Sequence, residues 1–370
     1  GSCSFLGTAN SMCCLSEALG MSLPGSALIP APYGERLASS FKAGRQIVDL
    51  VNKGINARQV ITKESMRNAI KVMMAICGST NAVLHLAAIA NEADLDMNVV
   101  EEFRELNKVT PQIAKVNPAA KWDMEDFYKA GGIPRVMTRL GNLLDPSCLT
   151  CTGKTVKANL EGFHYQYPDN PEIIKTVEAP FSKTGGIAVL QGNLAPHTAI
   201  SKPGAIDPKL HRFTGKAKCF NSEEEAEEAI LGGKIKEGDV VVIRYEGPKG
   251  GPGMREMFKA MKYMYGVGLA KKAALITDGR FSGTNNGCFV GHISPEAAEG
   301  GPIAIVEDGD EISIDVIEGK LTLHVSDEEI KKRFASWKRP HKDIPKGYLR
   351  LYSKVASSAD KGAIIADEEV

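Results

Sequence analysis

The sequence predicts an α/β protein with a helix-rich first region and a mixed second domain, divided near residue 180. Apolar side chains recur at spacings of three and four before that point, which is typical of amphipathic helices. Short β-branched runs dominate after it, with helical segments between them. The change falls at the Gly- and Ser-containing stretch 181–186. We therefore expect domains at 1–180 and 181–370.

The first region is predicted to be built from consecutive helices. The apolar spacing places them at 8–19, 37–51, 66–77, 82–90, 99–106, 123–130 and 134–140. Gly20 follows the first of these segments and is a typical C-terminal stop.

The second domain is predicted to alternate strands with helices. The strands are expected at 187–190, 240–244, 273–277, 303–306, 312–316 and 321–325. Ser222 and Ser326 each precede a glutamate by three residues, a pattern that opens helices. A further helix is expected over 254–265, with Glu256 in its first turn.

Composition excludes several classes of protein. Lys plus Arg and Asp plus Glu both number 45, so the formal net charge is zero, which argues against nucleic acid or an anionic membrane as the main partner. The chain carries no long apolar run of the kind that spans a bilayer, and we expect no signal peptide. Its eight cysteines are dispersed rather than dense, which favours a reducing cytoplasm over a disulfide scaffold.

Two familiar patterns are rejected as sites. Thr152-Gly-Lys-Thr155 lacks the earlier glycine of a phosphate-binding loop, where Cys148 stands instead. Cys148 and Cys151 have the spacing of a zinc or redox pair, but no second pair accompanies them. We interpret both patterns as structural.

Three segments carry stronger candidates. Cys3 lies in a small-residue turn that leads into a helix, where N–H groups favour the thiolate, and is either a metal ligand or an inert residue near the chain end. Glu256 follows a glycine-rich loop after a strand, and is either a favourable charge at a helix start or a Mg²⁺ ligand. Ser282 lies in a turn with glycines at 279, 283 and 287, and is either a turn-forming residue or an exposed, amide-lined hydroxyl.

Together these segments carry a resemblance to a known family. The ordered segments GSCSFLGTANSM, EALGMSLPGSA, GSTNAVLHL, CLTCTGKT, QGNLAPHTAISKPG, RYEGPKGGPGMREM and TDGRFSGTNNGCFVGHISPEAAEGGP resemble the dihydroxy-acid dehydratase and phosphogluconate dehydratase family. The resemblance runs from Gly1 to about Pro302 and continues more weakly beyond. It implies a partial α/β first domain and a β-barrel-like second domain.

The resemblance also implies an activity and its cofactors. A hydro-lyase of this family removes water from a 2,3-dihydroxy acid and yields a 2-keto acid. The implied cofactors are an iron–sulfur cluster, 2Fe-2S favoured over 4Fe-4S, and Mg²⁺. The resemblance matches Cys3 to the third of three cluster cysteines, Glu256 to a Mg²⁺ ligand, and Ser282 to the serine proposed to act as base.

The family pattern includes further ligands in a segment before the position of Cys3. We therefore expect the N-terminal segment to be missing and the isolated chain to be inactive. The leading expectation for the intact enzyme is a cytoplasmic homodimer that makes branched-chain amino acid precursors. A sugar-acid dehydratase, acting on a phosphogluconate or an aldonate, is the alternative, and a non-catalytic fragment or subunit is the second.

Overall fold

The structure is a computed structural model that describes residues 1–283 and 286–365. The chain divides into two compact units. The first comprises Gly1–Ala82 and Ile89–Ile187, and the second comprises Val83–Ala88 and Ala188–Val370. No helix in the described ranges is both long and apolar enough to span a bilayer.

The first unit is formed from helices, as the apolar spacing predicted. Their bounds are α1 Thr8–Ala18, α2 Gly34–Asn52, α3 Ala57–Val60, α4 Lys63–Ile76, α5 Asn81–Glu92, α6 Val99–Val109, α7 Met124–Lys129, α8 Gly132–Leu140 and α9 Val156–Glu161. The middle of α5, residues 83–88, groups with the second unit. Helix α4 is the centre of this unit, because it packs against α1, α6 and α8 and buries Met66, Ile70 and Met73 completely.

The second unit is a closed eight-stranded barrel with flanking helices, so the predicted α/β class with a barrel-like second domain is confirmed. The strands are β1 Ala188–Gly192, β2 Ala195–Ser201, β3 Arg212–Phe220, β4 Asp239–Ile243, β5 Glu256–Met257, β6 Ala274–Thr277, β7 Arg280–Phe281, β8 Cys288–Ser294, β9 Glu311–Asp315 and β10 Lys320–Leu323. The helices are α10 Glu223–Leu231, α11 Lys259–Gly266, α12 Asp327–Ser336 and α13 Tyr348–Val355.

The barrel order is β1-β10-β9-β3-β4-β6-β8-β2, and β5 and β7 form a separate two-stranded sheet. The run from β3 through β4 and β6 to β8 is parallel. Strand β4 is buried along its whole length because both of its faces are covered. Val240 and Val242 pack inside one core, whereas Val241 and Ile243 pack with α10 and α11 in another.

Two local predictions were wrong. Residues 303–306 were expected to form a strand, but Pro302–Ile305 forms a 3₁₀ helix with the proline at its start. The helix expected from residue 254 begins only at Lys259. Gly253 and Met254 have positive φ angles of 90° and 44°, which a right-handed helix does not allow, so the chain turns there and continues extended.

Candidate functional site

The parallel strands β4 and β6 end side by side, and a buried carboxylate joins the loops that follow them. Asp278 is fully buried directly after β6. Its carboxylate accepts hydrogen bonds from the backbone N–H groups of Tyr245 and Glu246, both at 3.0 Å, and of Ala297 at 2.9 Å. Burial raises the pKa of Asp278, although the three N–H donors act to lower it. This residue therefore holds the start of the glycine-rich loop against β6.

A second buried carboxylate holds the middle of the same loop. Glu296 accepts hydrogen bonds from the N–H groups of Lys249 and Gly250, both at 2.7 Å. Burial, assisted by the charge of Asp278, raises the pKa of Glu296 to about 7. Gly247 lies so close to this carboxylate that a Cβ there would be 2.7 Å from one of its oxygens. The glycine composition of the loop thus reflects close approach to buried acids.

Glu256 and Ser282 lie on neighbouring strands of the two-stranded sheet. Strands β5 and β7 run parallel, with Glu256 paired to Arg280 and Met257 paired to Phe281. Ser282 directly follows β7, and its backbone N–H donates a hydrogen bond to the carbonyl of Met257 at 2.9 Å. The expectation that Glu256 occupies the first turn of a helix is therefore wrong, because Glu256 lies in strand β5. Helix α11 begins only at Lys259, three residues later, with Phe258 as its N-cap.

The start of α11 is set by a residue distant in the sequence. The buried carboxylate of Glu223 accepts hydrogen bonds from the N–H groups of Lys259 at 3.0 Å and Ala260 at 3.3 Å. Those groups would otherwise lack partners at the helix N-terminus. The spacing of apolar residues around position 254 does not reveal that the distant Glu223 caps the helix at Lys259. This explains why the start of the helix was predicted too early.

Sequence reasoning missed a cluster of one arginine and two histidines, in which the arginine, Arg280, is the strand partner of Glu256. The half-buried Arg280 donates from Nε to the carbonyl of Met254, and its Nη1 lies 3.4 Å from Nε2 of His85. His292 is buried, and its backbone N–H donates a hydrogen bond to the carbonyl of Gly279 at 2.8 Å. Burial and then the charge of Arg280 lower the pKa of His85, and the same two causes lower the pKa of His292 to about 3. Both imidazoles are therefore neutral at neutral pH, and Arg280 supplies the positive charge.

Cys3 belongs to the first unit, in an exposed bend before α1. Asn10, which is completely buried in the first turn of α1, organises this bend. Its Nδ2 donates to the carbonyls of Cys3 at 2.9 Å and Phe5 at 2.7 Å and lies 3.5 Å from Cys3 Sγ, while its Oδ1 accepts from the N–H of Ser2 at 2.7 Å. Asn10 is thus the positioning residue for Cys3, and the motif Cys-x₆-Asn before a helix is the signal that could have found it.

The described ranges do not contain a complete metal site. Nowhere within them do three or more His, Cys, Asp or Glu side chains group as ligands for a metal ion. Cys3 offers one thiol in the first unit, and Glu256 offers one carboxylate in the second. These two residues alone do not satisfy an iron–sulfur cluster or Mg²⁺. Thr284 and Asn285, which follow Gly283 in the sequence, lie outside the described residues.

Two family models match the chain. The model described as dihydroxy-acid/6-phosphogluconate dehydratase N-terminal matches residues 1–159, and the corresponding C-terminal model matches residues 172–363. The matches therefore represent both domains of the family, from residue 1 onward. They do not support the expectation of an inactive chain, which depended on a missing N-terminal segment.

Curated relatives agree with these matches. A dihydroxy-acid dehydratase of Caldanaerobacter subterraneus subsp. tengcongensis is 51% identical over 99% of this chain and 66% of its own length. Relatives with the same name from Acetivibrio thermocellus and Thermodesulfovibrio yellowstonii are also 51% identical, over 100% and 99% of this chain and 66% of their own lengths. The chain thus spans about two thirds of the length of these relatives. It belongs to the dihydroxy-acid/6-phosphogluconate dehydratase family.

Proposed function

We propose that this protein is a dihydroxy-acid dehydratase, a hydro-lyase that converts a branched 2,3-dihydroxy acid to the 2-keto acid in valine and isoleucine biosynthesis. The observation that carries the proposal is the identity of 51% over nearly the whole chain to relatives named dihydroxy-acid dehydratase. The pairing of the strands that carry Glu256 and Arg280, with Ser282 directly after, supports a reactive site in the second unit.

In the proposed reaction Ser282 takes the proton from C2 of the substrate. The C2–H bond breaks, a C2=C3 double bond forms, and the C3 hydroxyl leaves and is released as water after taking up a proton. The resulting enol tautomerises to the 2-keto acid. A serine hydroxyl is a weak base at its ordinary pKa, so it needs a cation or N–H donors nearby. We propose that the guanidinium of Arg280, two residues earlier on β7, supplies this cation.

We further propose an iron–sulfur cluster and Mg²⁺ as cofactors, with Cys3 and Glu256 as one ligand each. The family resemblance supports this assignment. These two residues do not make complete sites by themselves. The type of cluster, 2Fe-2S rather than 4Fe-4S, is part of the proposal.

The remaining features of the proposal concern organisation. We propose that residues 1–180 and 181–370 act as the two domains of a cytoplasmic homodimer. The change from helical periodicity to β-branched runs supports the domain boundary near residue 180. The dispersed cysteines support the cytoplasmic location of the protein.

A substrate panel tests the proposed function. The protein is purified without oxygen, supplied with iron, sulfide and Mg²⁺, and incubated with a branched 2,3-dihydroxy acid, 6-phosphogluconate or an unphosphorylated aldonate. Formation of 2-keto acid is followed by NMR. Turnover of the branched acid with a kcat/KM at least about tenfold above the others is expected. Preference for a sugar acid would assign the alternative dehydratase, and absence of all turnover would favour a non-catalytic chain.

A further inference from the structure

We propose that the second unit carries a binding site for a compact oxyanion of the phosphate class. The site is an open cavity between the glycine-rich loop after β4 and the C-terminal segment 337–354, which we call the basic segment. Its volume is about 510 Å³. The cavity does not include Glu256 or Ser282, so the inference goes beyond the proposed dehydratase site.

Charge is segregated strongly in this part of the chain. The basic segment contains six Lys or Arg residues and one Asp, a formal charge of +5, although the whole chain is neutral. Five cationic side chains line the cavity together with the carboxylate of Asp343: Lys249, Arg339, Lys342, Arg350 and Lys354. A concave surface lined by one sign of charge raises the local concentration of ions of the opposite sign.

Backbone carbonyls, rather than carboxylates, hold several of these cations in place. Arg339 donates from Nη2 to the carbonyl of Lys249 at 3.4 Å, and Lys342 donates from Nζ to the carbonyl of Tyr245 at 2.9 Å. Arg350 donates from Nε to the carbonyl of Ile344 at 3.0 Å. A carbonyl fixes the position of a side chain but does not neutralise its charge, and each Arg or Lys keeps further N–H donors for a ligand.

Neutralisation by acids is incomplete around the cavity. Lys249 pairs with Glu299, and the nearest carboxylate oxygens to Lys342 and Arg350 are at 3.8 Å and 4.0 Å. Within the described ranges, neither Arg339 nor Lys354 has a carboxylate within the 4.0 Å that defines an ion pair. These two side chains are therefore the ones that an anion in the cavity would pair with most strongly.

The chemistry of the lining favours a phosphate group over a simple halide. A guanidinium matches two phosphate oxygens with two parallel N–H donors, and lysine ammonium groups add point charges around them. Inorganic phosphate, a phosphorylated metabolite and the phosphate end of a phosphorylated sugar acid all share this chemistry. The proposal assigns the recognised group, and the experiment separates these sources.

The test is calorimetric titration of the 370-residue chain with inorganic phosphate at a constant ionic strength of about 0.15 M. One equivalent is expected to bind with a dissociation constant below about 1 mM. The double variant Arg339→Gln/Lys354→Gln is expected to lose affinity by about tenfold or more. The matched control Lys338→Gln/Lys346→Gln removes the same charge from exposed positions of the basic segment outside the cavity, and should retain the affinity.

A second measurement does not depend on the variants folding. Inorganic phosphate should protect Lys249, Lys342 and Lys354 of the unaltered chain from amine acylation, read by mass spectrometry, and leave Lys338 and Lys346 unprotected. Parallel titrations with 6-phosphogluconate and gluconate identify the source, because tighter binding of the phosphorylated acid alone assigns its phosphate end. Absence of saturable binding, equal weakening in both double variants, or uniform acylation would overturn the proposal.

Discussion

The backbone N–H of Ser282 donates a 2.9 Å hydrogen bond to the carbonyl of Met257, the residue next to Glu256. This bond continues the parallel pairing of β5 with β7 and ties the two candidate residues of the second unit to one another. Their relative position therefore depends on the loops that deliver the two strands. Those loops are held by the buried carboxylates of Asp278 and Glu296.

Replacement of Asp278 by Ala should strongly destabilise the second unit. The change leaves three buried backbone N–H groups, of Tyr245, Glu246 and Ala297, without their acceptor. An unsatisfied buried donor costs about 1–3 kcal/mol, so the free energy of unfolding should fall by about 3 kcal/mol or more. Urea unfolding followed by circular dichroism measures the change. The exposed Asp343→Ala is the control, and equal effects of the two changes would contradict the assigned role of Asp278.

Glu296 should make stability depend on pH in a defined direction. Its pKa in the folded protein is raised from 4.5 to about 7, so the folded state binds the proton more tightly than the unfolded state. The stabilisation is complete below about pH 4.5 and is lost as pH rises through about 7. Relative to the variant Glu296→Gln, the unaltered protein should lose up to about 3 kcal/mol of unfolding free energy between pH 5 and pH 8.

Glu17 provides an independent comparison in the first unit. Its buried carboxylate accepts from the N–H groups of Gly25 at 2.7 Å and Ala27 at 2.9 Å, and burial raises its pKa to about 7. Glu17→Gln should therefore give a pH-dependent difference of the same sign. Unfolding curves recorded at several pH values test both sites, and a difference that is constant across pH would contradict this interpretation.

Asn10→Ala should release the bend that contains Cys3. The substitution removes hydrogen bonds to the carbonyls of Cys3 and Phe5 and from the N–H of Ser2. Hydrogen exchange of the peptide covering residues 1–6 should become faster, and the protein should lose about 2 kcal/mol of stability. Asn10→Asp keeps the acceptor for Ser2 and should give an intermediate effect. Unchanged exchange in Asn10→Ala would show that the bend is held in another way.

Arg280→Gln should impair a reaction that involves an anionic substrate. The substitution removes the cation that is paired with Glu256 across the two strands and leaves a shorter, neutral polar side chain. We expect kcat/KM to fall by about tenfold or more, because charged hydrogen bonds are worth about 1.5–3 kcal/mol. Arg212→Gln, whose exposed side chain pairs with Asp315 on the barrel, is the control. Similar losses in both variants would remove the special role of Arg280.

Local patterns predicted the helices of the first unit well because helical periodicity is a local property. The segment expected at 37–51 occurs as α2 Gly34–Asn52, and the segment expected at 66–77 occurs as α4 Lys63–Ile76. Strands were predicted where β-branched runs are continuous, as in β4. Strands β2 and β3 were missed because their composition, APHTAIS and RFTGKAKCF, is polar or small and becomes a strand through pairing in the barrel.

The candidate site was only partly predictable for a related reason. Cys3, Glu256 and Ser282 follow from recognisable segments, but the strand conformation of Glu256 depends on positive φ angles at Gly253 and Met254. The cluster of His85, Arg280 and His292 brings together residues that are distant in the sequence. Arg280 and His85, whose side chains are in contact, are 195 positions apart. No spacing rule brings such residues together, because they come from a helix (α5), the two-stranded sheet (β7) and the barrel (β8) and meet only through tertiary packing.

The most direct test of the account is the rate of 2-keto acid formation from a branched 2,3-dihydroxy acid by the unaltered protein, Ser282→Ala and Glu256→Gln. The protein is produced from its own gene and supplied with iron, sulfide and Mg²⁺. We predict that Ser282→Ala lowers kcat by about 10²–10⁴, the range of general base catalysis, and that Glu256→Gln also lowers turnover. The exposed control variant Arg212→Gln should leave turnover unchanged. Undiminished turnover in Ser282→Ala and Glu256→Gln would contradict the claim that these two residues form the reactive site.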